Sequence, residues 1–143
     1  MALVLFVDDE PYFAGRYVEH LSAKFDVKLI DQASDVFSLL KSDPTLAAII
    51  LDVMMPPPAD APPSATQDGV ATGVWLLKEI QNRYPGQAAT PAMILTNRNP
   101  AGVRANLDEM RVNTSFVEVR QKLDTPAFLL PKFLTELIQK TKP

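Results

Sequence analysis

The chain contains no cysteine, so neither a disulfide nor a thiolate-bound metal centre is open to it, although this fixes no compartment. Its one histidine, His20, stands in a stretch of helical period and reads as a surface or core-edge residue rather than a ligand. Charge is not concentrated either: 14 Lys and Arg against 17 Asp and Glu give a net charge of −3. Without a basic block the footprint of a nucleic-acid binder is missing, and no direct nucleic-acid contact is expected. Long apolar runs are absent as well. The opening Leu3-Val4-Leu5-Phe6-Val7 run has no positive leader and meets Asp8 and Asp9 at once, which excludes a secretory signal or a membrane span. No internal repeat is present, and 143 residues are a natural length for one domain around one core. A cytoplasmic protein without membrane association is the expectation.

What the chain does have is alternation. Short apolar runs near 2–7, 26–30, 47–51, 91–95 and 115–119 read as strands, and segments of helical period near 10–24, 34–42, 70–84, 100–110 and 126–140 read as helices. That order argues for β–α units around a mainly parallel sheet. The first, third and fourth runs are almost wholly apolar, as strands covered on both faces should be. Pro11 suits a first helical turn, Tyr84-Pro85-Gly86 stops the third helix, and Thr125-Pro126 looks like a cap followed by a proline at the first helical position. Pro131 should kink the last helix or delay its start to about that point. Phe13, Tyr17, Leu21, Phe25 and Trp75 follow helical spacing and are expected in the core. Pro56 to Asp68 is dense in proline and small polar residues, so an extended or mobile loop is expected there.

Polar residues recur where the apolar runs end: Asp8-Asp9 after the first, Asp52 after Ala48-Ile49-Ile50-Leu51, Thr96 after Ala92-Met93-Ile94-Leu95, and Lys122 after the fifth. In parallel neighbouring strands these groups meet at one sheet edge, the crevice where open α/β sheets bind ligands. An Asp-Asp pair alone is often only a turn or a cap. The gathering of three carboxylates, a hydroxyl and an ammonium is what points to a site.

These residues resemble the receiver domain of two-component response regulators. The matching pieces are Val7-Asp8-Asp9-Glu10-Pro11, Leu51-Asp52-Val53-Met54-Met55-Pro56, Gly73 with Val74-Trp75-Leu76-Leu77-Lys78-Glu79-Ile80, Ile94-Leu95-Thr96, and Lys122. They occur in order over essentially the whole chain. The resemblance implies a flavodoxin-like, doubly wound α/β fold, a five-stranded parallel sheet of order 2-1-3-4-5 with helices on both faces, as a stand-alone CheY-like domain over 1–143 with a long proline-rich insertion at about 56–69. It also implies a phosphorelay role. Asp52 would be the phosphoacceptor, serving a sensor histidine kinase or a phosphotransfer protein, and Thr96 and Lys122 would contact the phosphoryl oxygens. Asp8, Asp9, Asp52 and the backbone carbonyl of Met54 would hold Mg²⁺, a hard cation suited to such oxygens. The domain would signal to an unknown downstream protein, as a monomer or weak homodimer, with no output domain after its last helix and no activity beyond self-phosphorylation and self-dephosphorylation.

The chain departs from the family at several positions. Val119 stands where receivers with a Thr–aromatic switch carry an aromatic residue. Leu123 replaces the proline, often cis, that normally follows the lysine, so the lysine loop must be held differently. Asn97 and Arg98 follow Thr96 where a small residue is usual, and either can narrow access to the phosphoryl group or bind it. The connection after Asp52 is about a dozen residues longer than usual, whether as an inert insertion, a lid or a docking segment. These departures keep a second reading open, a pseudo-receiver that binds proteins without phosphorylation. A Mg²⁺-dependent phosphatase with a nucleophilic aspartate would need an acid two residues further on, where Met54 stands.

Overall fold

The structure, a computed structural model, describes residues 1–142. Five strands, β1 (Leu3–Val7), β2 (Asp26–Ile30), β3 (Leu46–Leu51), β4 (Ala92–Thr96) and β5 (Val117–Gln121), form one parallel sheet of order β2-β1-β3-β4-β5. The helices are α1 (Pro11–Leu21), α2 (Ala33–Leu40), α3 (Pro63–Thr66), α4 (Thr72–Arg83), α5 (Pro100–Glu109) and α6 (Leu130–Lys140). Among the described residues no helix is long and apolar enough to cross a membrane.

Alternation along the central strands divides the core. Leu5, Val7, Ile49, Leu51 and Ile94 face Val36 and Leu40 of α2, Leu77 and Ile80 of α4, and Val103 and Leu107 of α5. Val4, Phe6, Ile50, Met93 and Leu95 face Ala14 and Leu21 of α1 and Leu130, Leu134 and Leu137 of α6. Each fully buried Leu or Ile contributes about 2 kcal/mol of transfer free energy. The central strands are thereby fixed in register, because a slip of one residue would exchange the two faces.

Three expectations need correction. The fifth strand begins at Val117 rather than near 115. Asn113 and Thr114 build a turn in which the Ser115 N–H donates to Asn113 Oδ1 (3.1 Å) and the Val117 N–H to the Thr114 carbonyl (3.1 Å). As an edge strand, β5 mixes Glu118 and Arg120 with Val117 and Val119, so apolar content alone misplaces it. Phe13 is 58% exposed and not part of the core, unlike Leu21, Phe25 and Trp75, which are buried. The proline-rich segment is not simply extended: Pro63 sits in the first turn of α3, where its missing N–H costs nothing. Pro58, Ala61 and Thr66 are buried, Ala61 belongs to the core that α2, α4 and α5 cover, and Ala65 packs against it. For the last helix, the start is delayed, with Pro131 in the first turn of α6 behind a 3₁₀ turn at Ala127–Leu129.

Two glycines fit the insertion to the sheet edge. Gly69 has φ of +100° and closes a turn in which Gln67 and Asp68 also have positive φ, 51° and 55°. A Cβ on Gly73 would collide with the Asp52 carbonyl oxygen and lie 2.8 Å from Val53 Cα. Only glycine lets the N-terminus of α4 sit that close to the chain leaving β3.

Candidate functional site

The sheet ladder continues one residue past β1 and β3. The Asp8 N–H donates to the Ile30 carbonyl (3.0 Å) and the Asp52 N–H to the Val7 carbonyl (2.9 Å). Both carboxylates are therefore rooted in rigid backbone at the carboxyl edge, and both are buried. Asp8 Oδ1 accepts the Glu10 N–H at 2.8 Å and Asp52 Oδ1 accepts the Val53 N–H at 2.8 Å. Their other oxygens share one cation: Lys122 Nζ lies 3.0 Å from Asp8 Oδ2 and 3.4 Å from Asp52 Oδ2, with its side chain only 13% exposed.

The Asp52 carboxyl is pushed up to about 6: burial raises it most, Lys122 pulls it back, Asp8 adds to the rise and the Val53 N–H lowers it. For Lys122, burial works against the charged form, but the carboxylates of Asp52 and Asp8 outweigh it and hold the ammonium above its ordinary range. One lysine thus leaves the acidic cluster under-compensated.

Asp9 completes the cluster. One oxygen from each of Asp8, Asp9 and Asp52 lies within 4.8 Å of the others, and Asp9 Oδ1 is buried without a hydrogen-bond partner. An orphaned acceptor among hard anionic oxygens is what a divalent cation would satisfy, so the arrangement is compatible with such an ion. Met54 has an exposed side chain and borders, with Asp9, Asp68 and Gly69, a shallow depression beside the cluster.

Thr96 ends β4, buried, and its Oγ1 accepts the Arg98 N–H at 3.0 Å. The Arg98 guanidinium is engaged elsewhere than on the carboxylates: Nη1 donates to Asn106 Oδ1 at 2.8 Å and to the Val70 carbonyl at 3.2 Å. Asn97 is exposed and lines a hollow of ≈ 290 Å³ with Glu10, Phe13, Tyr17, Lys122 and Leu123. Val119 pairs with Ile94 and borders a separate groove of ≈ 420 Å³ between α5 and α6, lined also by Leu107, Glu118 and Lys140. That groove shares no residue with the acidic cluster.

Two residues that sequence reasoning assigned to packing or capping stand beside the site. Tyr17 donates its hydroxyl to the Thr125 carbonyl at 3.0 Å, and Thr125 closes the turn that carries Lys122. No local pattern could have paired positions 108 apart in sequence.

No protein-family model matches the chain, and no curated protein matches it. Solved structures do. The receiver domain of Francisella response regulator 1452 aligns with a TM-score of 0.70 at 17% identity, covering 99% of this chain and 100% of that one. Vibrio cholerae chemotaxis protein CheY4 gives 0.72 at 20% identity over 96% and 98%. A response regulator receiver domain from Clostridium thermocellum gives 0.70 at 18% over 98% and 96%. At such identities the likeness is one of fold, and the parallel sheet of order 2-1-3-4-5 is that of the flavodoxin-like receiver fold.

Proposed function

We propose that this chain is a single receiver domain of a phosphorelay, with Asp52 as phosphoacceptor. The observation that carries the reading is the placement of Lys122 Nζ 3.0 Å from Asp8 and 3.4 Å from Asp52, beside the orphaned Asp9 oxygen, in a receiver fold. Asp52 Oδ2 would attack the phosphorus of a phosphohistidine on a kinase or phosphotransfer protein. The P–N bond breaks, its electron pair passes to the imidazole nitrogen, and an acyl phosphate forms on Asp52. Such transfer is mainly positioning and charge neutralisation. Asp8, Asp9, Asp52 and the Met54 carbonyl would hold Mg²⁺, which would supply positive charge to offset that of the carboxylates and the incoming phosphoryl group.

The remaining work falls to the chain's own side chains. Lys122 already bridges Asp8 and Asp52, so a short movement keeps its ammonium on the new phosphoryl oxygens. The Thr96 hydroxyl, which now accepts the Arg98 N–H, has its proton free to donate to one of them. That bond would draw in the loop carrying Asn97 and Arg98 and shift the surface around α5 and β5, the output presented to a downstream protein. The domain would act as a signalling phosphoacceptor rather than a turnover enzyme, in the cytoplasm, as a monomer or weak homodimer.

The deciding experiment is intact mass after incubation with Mg²⁺ and acetyl phosphate, beside Asp52→Asn and a chelator control. One added phosphoryl group that needs both Asp52 and Mg²⁺ is expected. Beryllofluoride gives a second arm, since a structural neighbour, the DrrB receiver domain, is described in a BeF3-activated form. No adduct and no stabilisation by beryllofluoride would leave the pseudo-receiver, for which the positions Val119 and Leu123 speak.

A further inference from the structure

A lysine side chain is long and flexible, and the ≈ 290 Å³ hollow beside Lys122, with Glu10 on its rim, offers its ammonium another resting place. Holding Nζ between Asp8 and Asp52 therefore requires a fixed backbone root. Lys122 opens a 3₁₀ turn, Lys122–Asp124, that contains no proline and no cis peptide bond, and Leu123 is 87% exposed. The turn is closed instead by Thr125, which is fully buried. Its N–H donates to the Lys122 carbonyl at 3.1 Å and its Oγ1 to the Gln121 carbonyl at 2.8 Å. Arg120, stacked 3.7 Å over the Phe133 ring, donates Nε to the same hydroxyl at 3.4 Å.

The remaining polar group of Thr125 reaches across the molecule. Its carbonyl accepts the Tyr17 hydroxyl at 3.0 Å, and the Tyr17 ring packs against Phe6 of β1 with centroids 6.2 Å apart. The α1 helix follows directly on the Asp8–Asp9 loop, so this bond registers the loop that bears the carboxylates against the loop that bears the ammonium. We infer that Thr125, pinned by Tyr17, is the positioning residue that holds Lys122 between Asp8 and Asp52, a task otherwise unassigned in a turn without proline. The inference rests on the reading of Lys122 as part of the phosphoacceptor site.

The test is the acylation rate of Lys122 by an N-hydroxysuccinimide ester, followed by peptide mass mapping in the metal-free full chain, with exposed Lys24 as internal reference. In the wild type Lys122 reacts well below Lys24. Thr125→Val, which keeps the shape and removes the hydroxyl, raises the Lys122 rate on the order of tenfold with Lys24 unchanged, and Thr125→Ser restores protection. Tyr17→Phe keeps the ring and raises it roughly threefold, and it decides alone if Thr125→Val does not fold. Wild-type protection in the folded variants, or failure of Thr125→Ser to restore it, overturns the inference. Because no phosphodonor is used, protection at Lys122 can be lost or kept independently of whether Asp52 accepts a phosphoryl group.

Discussion

Replacing Asp52 by asparagine should make the metal-free protein more stable, by an amount that grows with pH. In the folded chain burial raises the Asp52 carboxyl from 3.8 to about 6. Between those values the folded state holds a proton that the unfolded state has released, so stability falls as pH rises from about 4 to about 6 and stays low above. Two pKa units correspond to about 3 kcal/mol, a figure that already contains the opposing pull of Lys122. Asparagine keeps an Oδ1 to accept the Val53 N–H and cannot ionise, so the variant avoids the penalty. Urea unfolding in chelator should find Asp52→Asn ahead at both pH 5 and pH 8, by about 3 kcal/mol at pH 8 and by roughly half as much at pH 5. In a domain of this length the larger value is worth roughly 8 °C in melting temperature. A variant no more stable than wild type at pH 8, or a gap that does not change with pH, would refute the reasoning.

Adding Mg²⁺ at one hundred times its dissociation constant should stabilise the wild type by about 2.7 kcal/mol and Asp52→Asn by much less, read as the shift of the urea midpoint. Gly73→Ala forces a Cβ against the Asp52 carbonyl, which has no flexible neighbour to yield, and should cost on the order of 3 kcal/mol in the same assay. Arg98→Ala should cost about 1 kcal/mol and speed amide hydrogen exchange across residues 67–71, because it frees the Val70 carbonyl from its guanidinium; unchanged exchange there would show that the contact carries no restraint. Asn97→Ala should change the lifetime of the acyl phosphate, and an unaltered hydrolysis rate would remove Asn97 from the site.

Burial on both faces wrote β1, β3 and β4 into the sequence as continuous apolar runs, and three of the four polar endpoints, Asp8, Asp52 and Thr96, followed from those strands. Lys122 lies at the expected edge although its strand starts two residues later than the apolar pattern suggests, since the Asn113 turn and the mixed edge strand carry no apolar signature. The fold of the Pro56–Asp68 segment is not legible in the sequence. Proline content excludes a long helix but permits one turn, and what orders that turn is the packing of Ala61 and Ala65 on a core built by residues distant in the chain. Tyr17 and Thr125 were invisible for the same reason: each has an ordinary local role, and only the sheet topology brings α1 to the loop after β5.

The same burial that destabilises Asp52 is what fits it for the proposed chemistry. When all are ionised, Asp8, Asp9 and Asp52 stand against one ammonium, which leaves two negative charges uncompensated in a largely buried pocket. A carboxylate pair about 4 Å apart costs roughly 4 kcal/mol at an effective dielectric near 20, so the site cannot relax this by local adjustment alone. Lys122 relieves part of it by bridging two of the three, and a divalent ion would remove the rest. With such an ion and the ammonium in place, an incoming phosphoryl group would meet a neutralised site rather than one that repels it. On the proposed reading, the nucleophile role of Asp52, a dependence on metal and a loss of metal-free stability as pH rises would have one cause. Asp52→Asn, which should restore stability without metal, would on that reading abolish phosphoryl acceptance with it.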